Sequence, residues 1–267
     1  MDRPNRKSDQ KHSRNLVLAA LTIVLGTVAI PGPSDAATTL TGDAIVANVE
    51  KRLWGSTSEG EYEMTITTPH WSRTLKLLSW MQRPDKTFVR ILSPKKEAGI
   101  GSLRIKNEMW NYLPKIERVI KIPPSMMLQP WMGSDFTNDD LVKESSMVDD
   151  YVHRIEATET VGGVAVYRIV STAKPEAAVV WGKLVYRVRK NDLMPLSQQY
   201  YDERGELIKE LTFSDVRQMS DRRIPTRWIM KPAKKPGSMT EIRIHKLRFN
   251  RPIAESTFTL RNLRRTR

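Results

Sequence analysis

Residues 109–142, MWNYLPKIERVIKIPPSMMLQPWMGSDFTNDDLV, decide how this chain folds, because three kinds of local structure meet there. Met109 to Leu113 and Arg118 to Ile122 alternate as half-buried strands. Pro123, Pro124, Pro130 and Gly133 then forbid a continuous helix. Among these breakers stand Met126, Met127, Leu128, Trp131 and Met132, so three of the chain's twelve methionines fall within seven residues. Methionine is unbranched and polarizable, and it suits irregular or changing partners. On spacing alone these side chains serve equally as the cap of a core or as a lid facing a ligand. The stretch ends in Thr137-Asn-Asp-Asp140, which has capping-box form, with Phe136 and Leu141 at the positions of a hydrophobic staple. A short helix is therefore expected from Asn138.

Upstream, the pattern is helical once and then strictly of period two. Ile45, Val46, Val49 and Leu53 recur at helical spacing over Gly42 to Leu53, with Thr41 as N-cap and Gly55 as stop. From Glu61, strands are expected at Tyr62 to Ile66, Leu75 to Met81, Phe88 to Leu92 and Leu103 to Ile105, with turns at Arg83-Pro84-Asp85, Ser93-Pro94 and Asn107-Glu108. Downstream, strands resume at Tyr151 to Ala157, Val164 to Ser171, Lys183 to Arg189, Leu196 to Tyr201, Leu207 to Ser214, Ile224 to Met230 and Glu241 to Phe249. The tail is expected to fold Ile253 and Phe258 back onto the sheet. About a dozen antiparallel strands with so little helix make a mainly β fold of α+β type, and a sheet that size twists and curls. Its inner face needs a cover. The first helix and the Met-rich segment are the apolar elements available to supply one.

The first 36 residues read as a cleavable export signal. Arg3, Arg6, Lys7, Lys11 and Arg14 form a basic region, Leu16 to Ile30 an apolar one, and Pro31 to Ala36 a break with small residues. The apolar run falls short of the ~20 residues that span a bilayer. With no long repeat or low-complexity linker, 37–267 is expected to be one domain. The chain has no cysteine, so an oxidising compartment adds no disulfides, and its net charge is +14. For an exported protein that balance points to an anionic membrane surface as a partner rather than to nucleic acid. Dispersed basic residues such as Arg187, Arg189, Arg243 and Lys246 also fit a solvated face.

The patterns that carry catalysis are missing. His70, His153 and His245 lie far apart with no paired metal-ligand spacing, and each suits a strand or turn. Gly99-Ile-Gly101-Ser-Leu-Arg104 lacks the third glycine of a dinucleotide turn and suits a bend in a meander. Asp135, Asp139, Asp140 and Glu144 invite calcium, but a calcium loop begun at Asp135 would need glycine in place of Asp140 and glutamate in place of Ser146. The helix macrodipole accounts for Asp139 and Asp140 without a metal. No phosphate loop or nucleophile elbow is present. The expectation is therefore a non-enzyme with no cofactor and no metal.

Gly101-Ser-Leu-Arg104, Met109-Trp-Asn-Tyr112-Leu-Pro114, Arg118-Val119, Ile122-Pro-Pro-Ser-Met126-Met127, and Gly133-Ser-Asp-Phe136 with Asp140-Leu141 resemble the outer-membrane lipoprotein-sorting protein family, periplasmic relatives of the LolA and LolB carriers. That resemblance covers essentially all of 37–267. It implies a curved, open antiparallel half-barrel of about eleven strands whose concave face is covered by helices, with acyl chains held in the cavity between. It also implies a periplasmic carrier or binding protein for lipoproteins or lipids, with an inner-membrane export complex as donor and an outer-membrane acceptor. The chain departs from LolB in lacking an N-terminal cysteine, and LolA's gating arginine aligns with no particular arginine here. Candidate lid residues are Met126, Met127, Leu128, Trp131, Met132 and Phe136, and Trp110 and Tyr112 are candidates from the sheet. The alternative is a periplasmic protein-interaction or sensor module on the same half-barrel.

Overall fold

Thirteen strands form one antiparallel sheet, and their order explains the rest of the molecule. The structure is a computed structural model that describes residues 40–143, 147–177 and 179–265, without the side chains of 141–143. The expected export signal, Glu144 and the side chain of Leu141 lie outside the described residues. The strands are β1 (Thr57–Thr67), β2 (Ser72–Gln82), β3 (Lys86–Ser93), β4 (Gly101–Ile105), β5 (Glu108–Leu113), β6 (Arg118–Ile122), β7 (Tyr151–Val161), β8 (Val164–Ala173), β9 (Lys183–Arg189), β10 (Pro195–Tyr201), β11 (Leu207–Met219), β12 (Arg222–Pro232) and β13 (Met239–Phe249). They lie side by side as β6-β5-β4-β3-β2-β1-β13-β12-β11-β10-β9-β8-β7. Two meanders are thus joined at a central β1–β13 seam that runs from Ser58 opposite Phe249 to Thr67 opposite Met239.

The sheet does not close, because β6 and β7 occupy opposite edges. All thirteen runs with period-two alternation are strands. The count of about eleven implied by the family resemblance is too low for this chain.

Since β6 is one edge and β7 the other, the intervening residues have to cross a face of the sheet. They do so through one-turn 3-10 segments at Pro124–Met126 and Trp131–Gly133, then α2 (Asn138–Lys143) and α3 (Met147–Asp150). α1 (Gly42–Trp54) lies on the same face. The Thr41 side chain caps it by accepting from the Ala44 amide at 3.1 Å, and Gly55, at φ 63°, ends it. α1 buries Ile45, Val46, Val49 and Leu53 in the main core. Burial of such side chains is worth roughly 1.5–3 kcal/mol each. The Glu50 carboxylate is paired with Arg83 at the β2–β3 turn, and burial pushes its pKa up despite that partner.

A second, smaller core forms on the other face. Phe88, Leu103 and Tyr112 are covered by Phe258 and Leu263 of the C-terminal tail, with Trp80, Trp110 and Ile253 packed alongside. The tail turns through Glu255–Phe258 into α4 (Leu260–Leu263). Arg90 ties it down, donating to the Asn262 carbonyl and to the Gly99 carbonyl at 2.8 Å each. Gly101 has no room for a side chain there, since an added Cβ would stand 2.8 Å from Leu263.

Candidate functional site

The site is the space between the inner face of the sheet and the crossing segment. Alternation along the strands fixes which side chains enter it. On β2 the inner positions are Leu75, Leu77, Ser79 and Met81; on β12 they are Ile224, Thr226, Trp228 and Met230. Between them and the cover lies a small, half-open apolar cleft of about 80 Å³, walled by Trp54, Tyr62, Met64, Leu77, Met81, Val89, Trp131, Phe136, Trp228 and Ile242, with Ser79 and Thr87 as polar neighbours. Trp228 organises one wall, meeting Trp54 edge-on at 5.2 Å and Phe213 at 5.5 Å. A larger groove of about 730 Å³ opens beside it, where the crossing segment meets the β8–β9, β10–β11 and β12–β13 connections. Leu128, Pro130, Val180, Trp181, Ile208 and Pro232 give this groove an apolar floor, while Asp135, Asp202, Glu203, Arg204, Lys209, Lys234 and Lys235 give it charge. Of the two, the groove falls in the ~300–1,000 Å³ range of small-molecule sites.

The crossing segment is held by polar contacts at successive points. Trp131 is 2 % exposed, and its indole N–H donates to Ser102 Oγ at 2.9 Å. Arg73 donates to the Met132 carbonyl and pairs with Glu97 at 3.2 Å. Asp135 and Thr240 exchange two hydrogen bonds: the Asp135 amide donates to Oγ1 at 2.9 Å, and the hydroxyl donates to Oδ2 at 2.7 Å. Burial raises the Asp135 pKa, opposed by that hydroxyl and by Lys235 and Lys209. The capping box forms as expected, with the Asp140 amide donating to Thr137 Oγ1 at 3.1 Å and the Thr137 amide to Asp140 Oδ2 at 2.6 Å.

Asp140 also forms a buried ion pair with Lys209 of β11. The ammonium lies 4.7 Å from the Trp181 ring centre and 4.9 Å from that of Tyr200. A buried pair stabilises only when its remaining valences are met. The two rings flank the ammonium and the Thr137 amide shares Oδ2 with it, while Asp140 Oδ1 is buried without a hydrogen-bond partner among the described residues, so the pair is only partly satisfied.

The expected lid residues divide into three groups. Trp131 and Phe136 are buried in the cleft wall, Met127 and Met132 are half-buried against the same core, and Met126 and Leu128 are exposed, Leu128 along the groove. Trp110 and Tyr112 are not brought to this site. Met109 points to the inner core, so by alternation Trp110 and Tyr112 point to the opposite face, where they join the core under the C-terminal tail.

Trp54, Tyr62, Trp181, Lys209, Trp228, Lys234 and Lys235 belong to the site but were not singled out from sequence. The inner phase of β12, read from Ile224 through Trp228 to Met230, already marked Trp228. Lys209 carries no such mark, because its partner is 69 positions away. Among the described residues no group of three His, Asp or Glu is placed to hold a metal ion, and no helix is long and apolar enough to cross a membrane.

A protein-family model described as "Uncharacterized protein" matches residues 83–265. Among curated proteins nothing matches. Solved structures do. A DUF1329 family protein from Desulfovibrio piger superposes with a TM-score of 0.76 at 23% identity, over 83% of this chain and 97% of that one. A putative outer membrane lipoprotein-sorting protein domain from Vibrio parahaemolyticus gives 0.72 at 26% identity, over 84% and 98%. A LolA superfamily protein from Nitrosomonas europaea gives 0.72 at 18% identity, over 83% and 99%.

Proposed function

This chain belongs to the family whose model spans residues 83–265 and shares its fold with a LolA superfamily protein and a putative outer membrane lipoprotein-sorting protein domain, and from that premise we propose that it is a periplasmic carrier of lipids or lipoproteins. It works by sequestering acyl chains between the sheet and its cover, with no bond chemistry. Its donor is an inner-membrane export complex, its acceptor lies at the outer membrane, and anionic membrane surface is its intermediate contact.

One observation carries the proposal: the cleft between α1, the crossing segment and the inner face is lined almost wholly by apolar side chains. A methylene transferred from water gains about 0.8 kcal/mol, so a C16 chain needs roughly 12 kcal/mol of apolar shelter to leave a bilayer without loss. The cleft's walls are apolar enough to provide it, but at about 80 Å³ the cleft is too small. Loading therefore requires the cover to move off the inner face and the cleft to merge with the neighbouring groove. Met127 and Met132 of the crossing segment are half-buried against the main core, where a flexible side chain repacks at low cost.

The test is direct. Protein purified from its native periplasm is extracted with organic solvent, and bound material is identified and counted by mass spectrometry. Stoichiometric acyl lipid or lipoprotein is expected. Placing a charge on the partly exposed wall by Ile242→Glu should lower that occupancy at least tenfold while circular dichroism stays β-rich. A preparation consistently free of acyl chains would refute the carrier and favour an interaction module on the same half-barrel.

A further inference from the structure

The end of the sheet that carries the groove also carries an exposed tryptophan among lysines from two other connections. Trp71 ends the β1–β2 turn and is 47% exposed. It is nevertheless held firmly: the Thr68 amide donates to the Trp71 carbonyl at 2.9 Å, and the Trp71 amide donates to Thr68 Oγ1 at 3.1 Å. The Arg73 guanidinium lies 5.6 Å from the indole centre and links this turn to the crossing segment and to Glu97 of the β3–β4 connection. That connection bears Lys95 and Lys96. The β12–β13 turn stands against the β1–β2 turn, since a Cβ at Gly237 would lie 3.2 Å from Pro69, and it bears Lys234 and Lys235. All four lysines are exposed. Lys234 pairs with Glu206, whereas among the described residues Lys95, Lys96 and Lys235 enter no ion pair. Lys234 and Lys235 also line the groove together with Leu128, which is 51% exposed.

A half-exposed indole fixed at a turn tip contributes little to the core. With its apolar ring and polar N–H it suits the boundary between headgroups and acyl chains. Lysines without acidic partners keep their charge for an external anion, and near an anionic leaflet each attracts by a factor of about five.

We propose that this end of the molecule is a docking surface for an anionic phospholipid bilayer, with Trp71 at the interface, Lys95, Lys96, Lys234 and Lys235 over headgroup phosphates, and the groove opening onto the membrane. This rests on the carrier function for its purpose but not for its geometry. A protein that collects or delivers a lipid gains by bringing its opening, rather than its tail-covered face, to the bilayer.

Vesicle flotation tests it, with the purified protein and vesicles of phosphatidylcholine alone or mixed with phosphatidylglycerol. Retention is expected on the mixed vesicles only, and it should fall as salt is raised. Lys234→Glu with Lys235→Glu, and separately Lys95→Glu with Lys96→Glu, should each weaken partitioning by more than about tenfold. Trp71→Ser should weaken it as well. Arg223→Glu with Arg248→Glu, exposed positions toward the other end of their strands, should change it much less. Lipid content measured on Trp71→Ser and on Lys95→Glu with Lys96→Glu, none of which lines the groove, separates the two proposals, because variants that keep bound lipid yet no longer float leave the carrier intact and support the docking surface. Failure of the unaltered protein to float with anionic vesicles, equal losses for both ends, or binding only when a membrane protein is reconstituted would overturn it.

Discussion

Lys209 and Asp140 show how two side chains hold a cover against a sheet. Both are almost fully buried, at 4% and 1% side-chain exposure, so removing one leaves the other charged in an apolar site. Lys209→Met should destabilise by about 3–5 kcal/mol. Adding Asp140→Asn, which keeps an acceptor for the Thr137 amide, should recover much of that loss, and urea denaturation of the two variants checks both statements. His153 is a second buried titratable group of this kind. Burial lowers its pKa, partly opposed by Asp43, and its Nδ1 lies 2.5 Å from Ser171 Oγ. A depressed histidine binds its proton more weakly in the folded than in the unfolded chain. Its contribution is then fully present above the ordinary value near 6.5 and is lost as pH falls below it, at no more than about 1.4 kcal/mol per pH unit. His153→Gln should flatten the fall in urea midpoint between neutral and mildly acid pH, and an unchanged slope would show that other groups cause it.

The elements were legible wherever one face of a run met a core. α1 was readable because Ile45, Val46, Val49 and Leu53 form one stripe, and α2 because Thr137 and Asp140 bond reciprocally within four residues. The thirteen strands were readable for the same local reason. What the patterns did not determine is which core each strand face meets. Trp110 and Tyr112 look like cavity residues until β5 is seen to have a core on both faces, the second built by a tail more than 140 residues downstream. Such pairings depend on strand order, which alternation does not encode. Gly42 makes a related point at the start of α1. Alanine is the better helix former by about 1 kcal/mol, yet a Cβ at this position would stand 2.4 Å from the His153 carbonyl oxygen. Gly42→Ala should therefore destabilise, because the clash is with the backbone of β7 and neither partner can rotate away. A gain in thermal midpoint for that variant would mean that α1 can shift outward at low cost.

At the scale of the whole molecule, the open sheet and the edge-to-edge crossing have one consequence for function. A sheet closed into a barrel would enclose a cavity of fixed size, whereas this one leaves β6 and β7 unpaired with each other and bridges them by a segment lying over the inner face. The cleft beneath can grow only if that segment or α1 moves, and the side-chain polar contacts resisting this include Trp131 with Ser102, Arg73 with the Met132 carbonyl, Asp135 with Thr240, and Asp140 with Lys209. A carrier must shelter an acyl chain about as well as a bilayer does and no better, so the gap between closed and open cover should be only a few kcal/mol. The chain has no cysteine, which makes a crosslink at this boundary unambiguous. Asp135→Cys with Thr240→Cys places two thiols where the native side chains already touch. Oxidised, the variant should take up a fluorescent fatty acid at least tenfold more slowly than the reduced form, and reductant should restore uptake. Equal uptake in both states would mean that the crossing segment stays in place and that α1 is the part of the cover that opens.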